Sequence, residues 1–255
     1  MQLNREAPIL LTGSAGRIGQ AGVAALVAHG WRVRGFDCRP TSGTTDFVVG
    51  DLADFETVRQ AAAGTTAVVH LGGVPDDADF LTRLLPNNIV AAHNVFEGAR
   101  LGGARRVLVA SSGQVNWWQQ LEGPWPVRAT DPYTPRHWYA VGKIFLETAG
   151  MAYAKSFGMC VLALRLGWCP RTAAHLAELA ATPRGHDTYL SPGDAGRFFV
   201  RALEADLEPG FAALYVASRP VRQPIFDLEP TKRLLGWEPL DQWPNGAAEG
   251  IQAGA

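Results

Sequence analysis

The stretch Pro8-Ile-Leu-Leu-Thr-Gly13-Ser-Ala-Gly16-Arg-Ile-Gly19 constrains the chain more than any other. Ile9 to Thr12 form a short apolar, β-leaning run. Three glycines come next at a G-x-x-G-x-x-G spacing, and Gln20 to His29 read as a helix. Strand, glycine turn and helix in that order make the mouth of a dinucleotide site. Gly13 permits a sharp turn out of the strand, Gly16 lets backbone approach a pyrophosphate, and Gly19 lets the helix pack close to the sheet. The first helical turn, with Arg17 and Ile18, offers unpaired N–H groups to phosphate. Glycine triplets also occur in ordinary loops, so the rest of the chain must carry the assignment.

Beyond the glycine turn, strand and helix patterns alternate. Trp31 to Asp37, Asp46 to Gly50, Ala67 to Leu71, Arg106 to Ser111, Met159 to Leu166 and Phe211 to Ala217 read as further strands. Asp54 to Ala63, Asn88 to Leu101 and Tyr139 to Phe157 read as helices between them, the last stopped by Gly158. Asp194 is placed to cap a helix reaching Glu204, and a short terminal helix stops at Gly236. This order predicts an α/β fold, a doubly wound parallel sheet of the Rossmann type with right-handed crossovers. The expected organisation is a NAD-binding Rossmann domain over 1–167 and a small, loop-rich substrate-binding region over 168–255. The second part interleaves with the sheet edge, so the two make one compact unit.

Composition excludes several classes. The 23 basic and 24 acidic residues give a net charge of -1, without the basic block that nucleic acid demands. Ile9-Leu10-Leu11 is too short for a signal peptide, and no run approaches a membrane span. Cys38, Cys160 and Cys169 are odd in number and form no C-x-x-C, so no disulfide framework or metal site is expected. A cytoplasmic protein acting on a small molecule, without nucleic-acid or membrane partners, is the expectation.

In this fold ligands lie beyond the carboxyl ends of the strands, and the residues there are informative. Asp37 ends the second strand, where a carboxylate accepts hydrogen bonds from an adenosine ribose and repels a 2′-phosphate; a surface acid at a strand end is the plainer alternative. Arg17 and Arg39 stand where either could pair with such a phosphate, so NAD is favoured with NADP left open. Asp51 and Leu52 could frame the adenine, or belong to the start of the next helix. Leu71, Gly72 and Gly73 either admit the cofactor closely or form a plain turn.

Tyr139-Ala-Val-Gly-Lys143 carries the chemistry. Four positions apart on a helix, Tyr139 and Lys143 share one face. An ammonium beside a phenol favours the phenolate and yields a general acid/base, and the lysine could also hold the nicotinamide ribose. Lysine occurs only at 143, 155 and 232, which makes this spacing hard to attribute to chance. Ser112, just past the fifth strand, can donate to the same substrate oxygen; strand alternation turns Ser111 away.

Together with Asn88 and the terminal Leu235-Gly-Trp-Glu-Pro239, these segments resemble the extended short-chain dehydrogenase/reductases. More narrowly, the chain is similar to the NAD-dependent epimerase/dehydratase family, and His70-Leu-Gly-Gly73, Tyr139-Ala-Val-Gly-Lys143 and Arg165-Leu-Gly-Trp-Cys169-Pro170 look most like the uronate dehydrogenases. The resemblance implies a Ser112-Tyr139-Lys143 triad, an Asn88 that supports the lysine through its helix, and NAD along the strand ends as far as Cys169. It implies oxidation of C1 of a uronic acid by hydride transfer to NAD, and a homodimer or other homo-oligomer.

The substrate side departs from that subgroup. Pro75, Gly113-Gln114 and Trp168 stand where the subgroup carries polar sugar contacts, and a carboxylate-binding arginine survives only if Arg184 plays that part rather than lying in a solvated loop. Trp117, Trp118, Trp125 and Trp138 crowd the insert from 114 to 138, either to stack on a ligand or to pack the loop. A sugar epimerase or dehydratase that retains its NAD is the alternative function. A dehydratase, however, wants an acid beside Ser112, where this chain has Gly113. A non-catalytic dinucleotide sensor would not need the triad.

Overall fold

The structure, a computed structural model, describes residues 2–251. Seven parallel strands lie in the order β3-β2-β1-β4-β5-β6-β7: β1 Ile9–Thr12, β2 Val33–Asp37, β3 Asp46–Val49, β4 Ala67–His70, β5 Arg106–Ser112, β6 Cys160–Leu166 and β7 Gly210–Val216. The order reverses at β1, so β1 and β4 diverge at the switch point where ligands bind in such sheets. Both faces are covered, which is why β1 and β4 are apolar without alternation up to their last residues, Thr12 and His70, and buried throughout.

Helices α1 (Arg17–Ala28), α2 (Phe55–Ala62), α3 (Ala91–Gly102), α4 (Trp117–Glu122), α5 (Trp138–Phe157), α6 (Ala173–Ala181), α7 (Pro192–Glu204) and α8 (Glu229–Leu235) fill the connections. Ile9, Leu11 and Val33 point into one core with Leu26, Phe198, Phe199 and Trp237. Leu10, Phe36, Val68, Val107 and Val109 point into the other, with Val58, Phe96 and Leu146. β7 comes from the region after residue 168 and pairs with β6 along its whole length, so that region contributes the sheet edge as well as loops.

Four elements differ from expectation. The helix expected from Asn88 begins earlier, as a π-helical run over Phe80–Val90 capped by Asp79, and passes into α3 at Ala91. Pro86 explains the wider winding: it has no N–H to give, and its carbonyl accepts from Ala91, five residues on. Helices α4 and α6 form in stretches whose residues suggest loop. The cap of α7 is Ser191, whose hydroxyl accepts from the Asp194 N–H at 2.9 Å, and not Asp194 itself. Pro192 takes the first helical position, where its missing N–H costs nothing. Asp194 is wholly buried and instead accepts from Ser218 Oγ, Leu240 N and Arg197 Nη2, tying the terminal segment to the helix.

Candidate active site

A cleft of about 1250 Å³ runs along the carboxyl ends of the strands. At one end the glycine turn forms its wall. Gly13 has φ +72°, and a side chain there would meet Gly72 N at 2.6 Å, so the two glycine-rich strand ends lie backbone to backbone. A Cβ on Gly19 would come within 2.1 Å of Gly13 O, which fixes how close α1 starts to the turn. Asp37 Oδ2 accepts from Ala15 N at 3.0 Å and Oδ1 from Arg39 N at 3.1 Å, so the carboxylate is held facing the cleft at the tip of β2. Between β1 and β4, Thr12 Oγ1 lies 2.7 Å from His70 Nδ1, and burial first, then the Lys143 charge, pushes the His70 pKa down to about 3. His70 is a neutral structural clamp. The backbone gap at Gly13, the Asp37 carboxylate and the cleft's length fit an extended dinucleotide.

At the other end, β5 delivers Ser112 and the first turns of α5 deliver Tyr139 and Lys143, all three into the cleft. The Ser112 hydroxyl accepts from Gln114 N at 3.1 Å and lies close enough to the Tyr139 phenol to lower its pKa. Lys143 lies over the phenol ring with Nζ 5.4 Å from its centroid, and donates to Ala110 O at 2.7 Å. The electrostatics differ from expectation. Burial outweighs everything else at Tyr139: with the Asp76 charge it pushes the phenol up to about 12, against the opposing effects of Arg171 and Ser112. Burial also brings Lys143 down to about 8, so the ammonium does not hold the phenol below its ordinary value in the ligand-free protein.

Behind the triad lies a buried ion pair. Arg165 donates from Nε and Nη2 to the two Glu147 oxygens, each at 2.9 Å. Ser111 Oγ donates to Oε1 at 2.5 Å and Tyr133 OH to Oε2 at 2.9 Å. Asn116 Oδ1 accepts from Arg165 Nη1 at 3.1 Å and from Tyr215 OH at 2.9 Å. The cluster joins β5, β6, β7, α5 and the insert directly beneath Ser112. The sequence marks Arg165 only as part of a family-like segment and Ser111 only as turned away from the cleft; that turn is towards Glu147.

The lining includes Gly13, Gly16, Arg17, Ile18, Gly19, Asp37, Asp51, Leu52, Leu71, Gly72, Gly73, Pro75, Gly113, Gln114, Trp168 and Cys169 from the expected set. Two expected residues lie outside it. Asn88 clasps the loop after β4, accepting from Val74 N at 2.8 Å and donating to Val74 O at 2.9 Å, rather than reaching the lysine. Arg184 donates to Leu121 O at 3.2 Å with its guanidinium 4.3 Å from the Trp125 ring centroid, away from the cleft. Arg17 lines the cleft but is committed: its donors go to the carbonyls of Pro170, Gly246, Ala247 and Glu249 and to Cys169 Sγ, so it fastens the C-terminal segment and is not free for a 2′-phosphate. Asp51 accepts from Ala53 N at 2.8 Å, and Asp54 is the cap of α2. Of the insert's tryptophans only Trp117 reaches the cleft; Trp125 packs with Val127 and Phe226, and Trp138 lies against Phe80. The sequence does not point to Asp76, Arg136 or Arg171, and it assigns His137 and His175 no role; all five line the cleft. Among the described residues no group of His, Cys, Asp and Glu could hold a metal ion, and no helix is long and apolar enough to cross a membrane.

Comparison with known proteins agrees with this geometry. The model of the NAD dependent epimerase/dehydratase family matches residues 9–168. An L-arabinose 1-dehydrogenase (NAD(P)(+)) of Haloferax volcanii is 31% identical, over 92% of this chain and 97% of its own. A uronate dehydrogenase of Agrobacterium fabrum is 30% identical over 72% of this chain and 69% of its own. A mutant uronate dehydrogenase of Agrobacterium tumefaciens, solved in complex with NAD, superposes with a TM-score of 0.76 at 25% identity, covering 98% of this chain and 91% of that one. The chain belongs to the NAD-dependent epimerase/dehydratase family.

Proposed function

We propose that this family member is an NAD-dependent sugar dehydrogenase, which oxidises a ring hydroxyl at C1 of a free sugar or sugar acid to the lactone. The observation that carries the reading is the convergence of Ser112, Tyr139 and Lys143 at one end of a cleft whose other end is the glycine turn and Asp37. Bound NAD would supply the hydride acceptor. Gly13, Gly16 and Gly19 give it room, α1 presents N–H groups to its phosphates, and Asp37 takes the ribose hydroxyls. Tyr139 removes the proton from the C1 hydroxyl as the C1–O bond becomes a carbonyl, and Ser112 donates to that oxygen throughout. Lys143 brings a positive charge over the phenol ring, which works against the effect of burial and towards the phenolate that the reaction needs. Residues 168–255 form the substrate wall in this proposal, through Trp168, Arg171 and His175.

The same proposal places the protein in a reducing cytoplasm, in keeping with free thiols at Cys38, Cys160 and Cys169, and as a homodimer. Exposed Val141, Phe145 and Met151 on the outer side of α5 give that dimer apolar surface to bury. Light scattering of the purified chain tests the assembly. For the activity, NADH formation is followed at 340 nm with NAD⁺ and L-arabinose, galactose, galacturonate and glucuronate. Turnover of free NAD⁺ with one of these supports the dehydrogenase; NAD that copurifies and is never released reduced would favour an epimerase instead.

A further inference from the structure

Two loops meet across the substrate end of the cleft. Asp76, in the loop after β4, and Arg171, in the loop after β6, form an ion pair although 95 residues separate them. Gln114 Nε2 donates to the other Asp76 oxygen at 3.3 Å, so both carboxylate oxygens are engaged. Asp76 adopts φ 61°, a left-handed conformation uncommon outside glycine, and this turns its side chain towards Arg171 and Gln114. Neither partner is buried, at 48% and 36% side-chain exposure, so an entering ligand meets both. Both also act on the phenol: beyond the larger effect of burial, Asp76 raises the Tyr139 pKa and Arg171 lowers it.

The rest of the wall offers no surplus positive charge. Apart from the triad and the residues at the glycine turn and the tips of β2 and β3, the lining carries Asp76, Asp77 and Glu178 against Arg83, Arg136 and Arg171. Arg136 is stacked over the Trp117 ring, 5.1 Å from its centroid. Arg184 is held outside the cleft on Trp125.

Resting on the dehydrogenase reading, we propose that the Asp76–Arg171 pair selects a neutral aldose over a uronate or a sugar phosphate. A sugar hydroxyl satisfies both members at once, donating to the Asp76 carboxylate while accepting from the Arg171 guanidinium. A ligand carboxylate must instead compete with Asp76 for Arg171 and lie against a like charge, which is a repulsive element in the specificity of the site.

Galactose and galacturonate differ only at C6 and form the test pair, read as kcat/KM with NAD⁺. The native enzyme is expected to favour galactose by about tenfold or more, since a site built around polar partners rejects a mismatch strongly. Asp76→Asn removes the repulsion and frees Arg171, and is expected to raise the galacturonate-to-galactose ratio by about tenfold or more. Arg171→Gln is expected to raise KM for galactose with a smaller change in kcat, and serves if the Asp76 variant does not fold. Quenching of Trp117 and Trp168 fluorescence by each sugar gives a binding readout independent of turnover. Equal or better use of galacturonate by the native enzyme overturns the proposal and leaves the dehydrogenase standing. An unchanged ratio in folded Asp76→Asn that still binds NADH overturns the role of the pair. NADH formation with none of the sugars overturns the dehydrogenase reading, and the selection with it.

Discussion

The two ends of the cleft are built on different principles. The dinucleotide end is built mostly of backbone: Gly13, Gly16 and Gly19 sit on one turn against Gly72, and Asp37 reaches back only 22 residues to bond Ala15 N. Its shape follows from backbone that no side chain obstructs. The substrate end is assembled from afar: Ser111 meets Glu147 across 36 residues, Arg165 meets Asn116 across 49 and Asp76 meets Arg171 across 95. There, side chains with paired charges fix the shape. Such a division lets a family keep one cofactor geometry while changing what it oxidises, because the long-range pairs can vary without touching the glycine turn.

The sharpest way to break this comparison is at the residue where the ends meet. Tyr139→Phe removes the proton acceptor but leaves the glycine turn and Asp37 intact. A loss of about 10²–10⁴ in kcat is expected, the range for a positioned acid/base. NADH affinity, read by fluorescence titration, should stay within about threefold, because the ring and its packing remain. Loss of both together would mean that the two ends are not separable. Next in size is Glu147→Gln, which leaves the Arg165 charge buried without its partner, both side chains being 1% exposed. A loss of about 3–5 kcal/mol of stability in urea unfolding is expected. Glu147→Met with Arg165→Met should recover much of it, since replacing a whole buried pair is far less costly than breaking it.

How much of this could be read from the residues reflects the same division. The parallel sheet, the glycine turn, Asp37 and the Ser112, Tyr139 and Lys143 set are legible because strand period, helix period and glycine spacing are contiguous signals. The Glu147–Arg165 pair is not, because a charged residue in a helix and another in a strand carry no mark of their partner. Arg17 shows the same limit: its place in the first turn of α1 suggests phosphate, whereas its guanidinium is spent on carbonyls as far away as Glu249 O. Only the folded chain brings those acceptors round. The π-helical run had one local sign, Pro86, which reads equally well as a helix terminator.

The pH dependence of stability sharpens the picture at the triad. Burial holds the Lys143 pKa at about 8, below the 10.5 of a free lysine. At this group the unfolded chain therefore binds more protons than the native one between those values, and the Lys143 contribution to stability rises with pH across that window. Below pH 8 the native state carries the whole cost of a buried ammonium, about 3 kcal/mol when the difference is converted. Urea unfolding of the cofactor-free protein and of Lys143→Met from pH 7.5 to 10 should show the rise as a native-minus-variant difference, since buried thiols such as Cys160 and Cys169 pull the other way in both proteins. A native curve that falls over this range, with no difference from the variant, would mean that Lys143 is solvated rather than held against Ala110 O.

The smallest effect is expected at Arg184. The resemblance offers it as a carboxylate binder, with a solvated loop arginine as the alternative, and in the folded chain it lies on Trp125 with Nη1 on Leu121 O. Removing it takes away one cation–π contact and one hydrogen bond at an exposed site, worth about 1 kcal/mol or less of stability. Arg184→Ala should thus leave kcat/KM for every sugar tested within about twofold, with at most a small drop in Tm. A loss confined to uronates would show that Arg184 leaves Trp125 to meet a carboxylate. The substrate wall would then be mobile where the dinucleotide wall is fixed, and the contrast between the two ends would become one of motion as well as of construction.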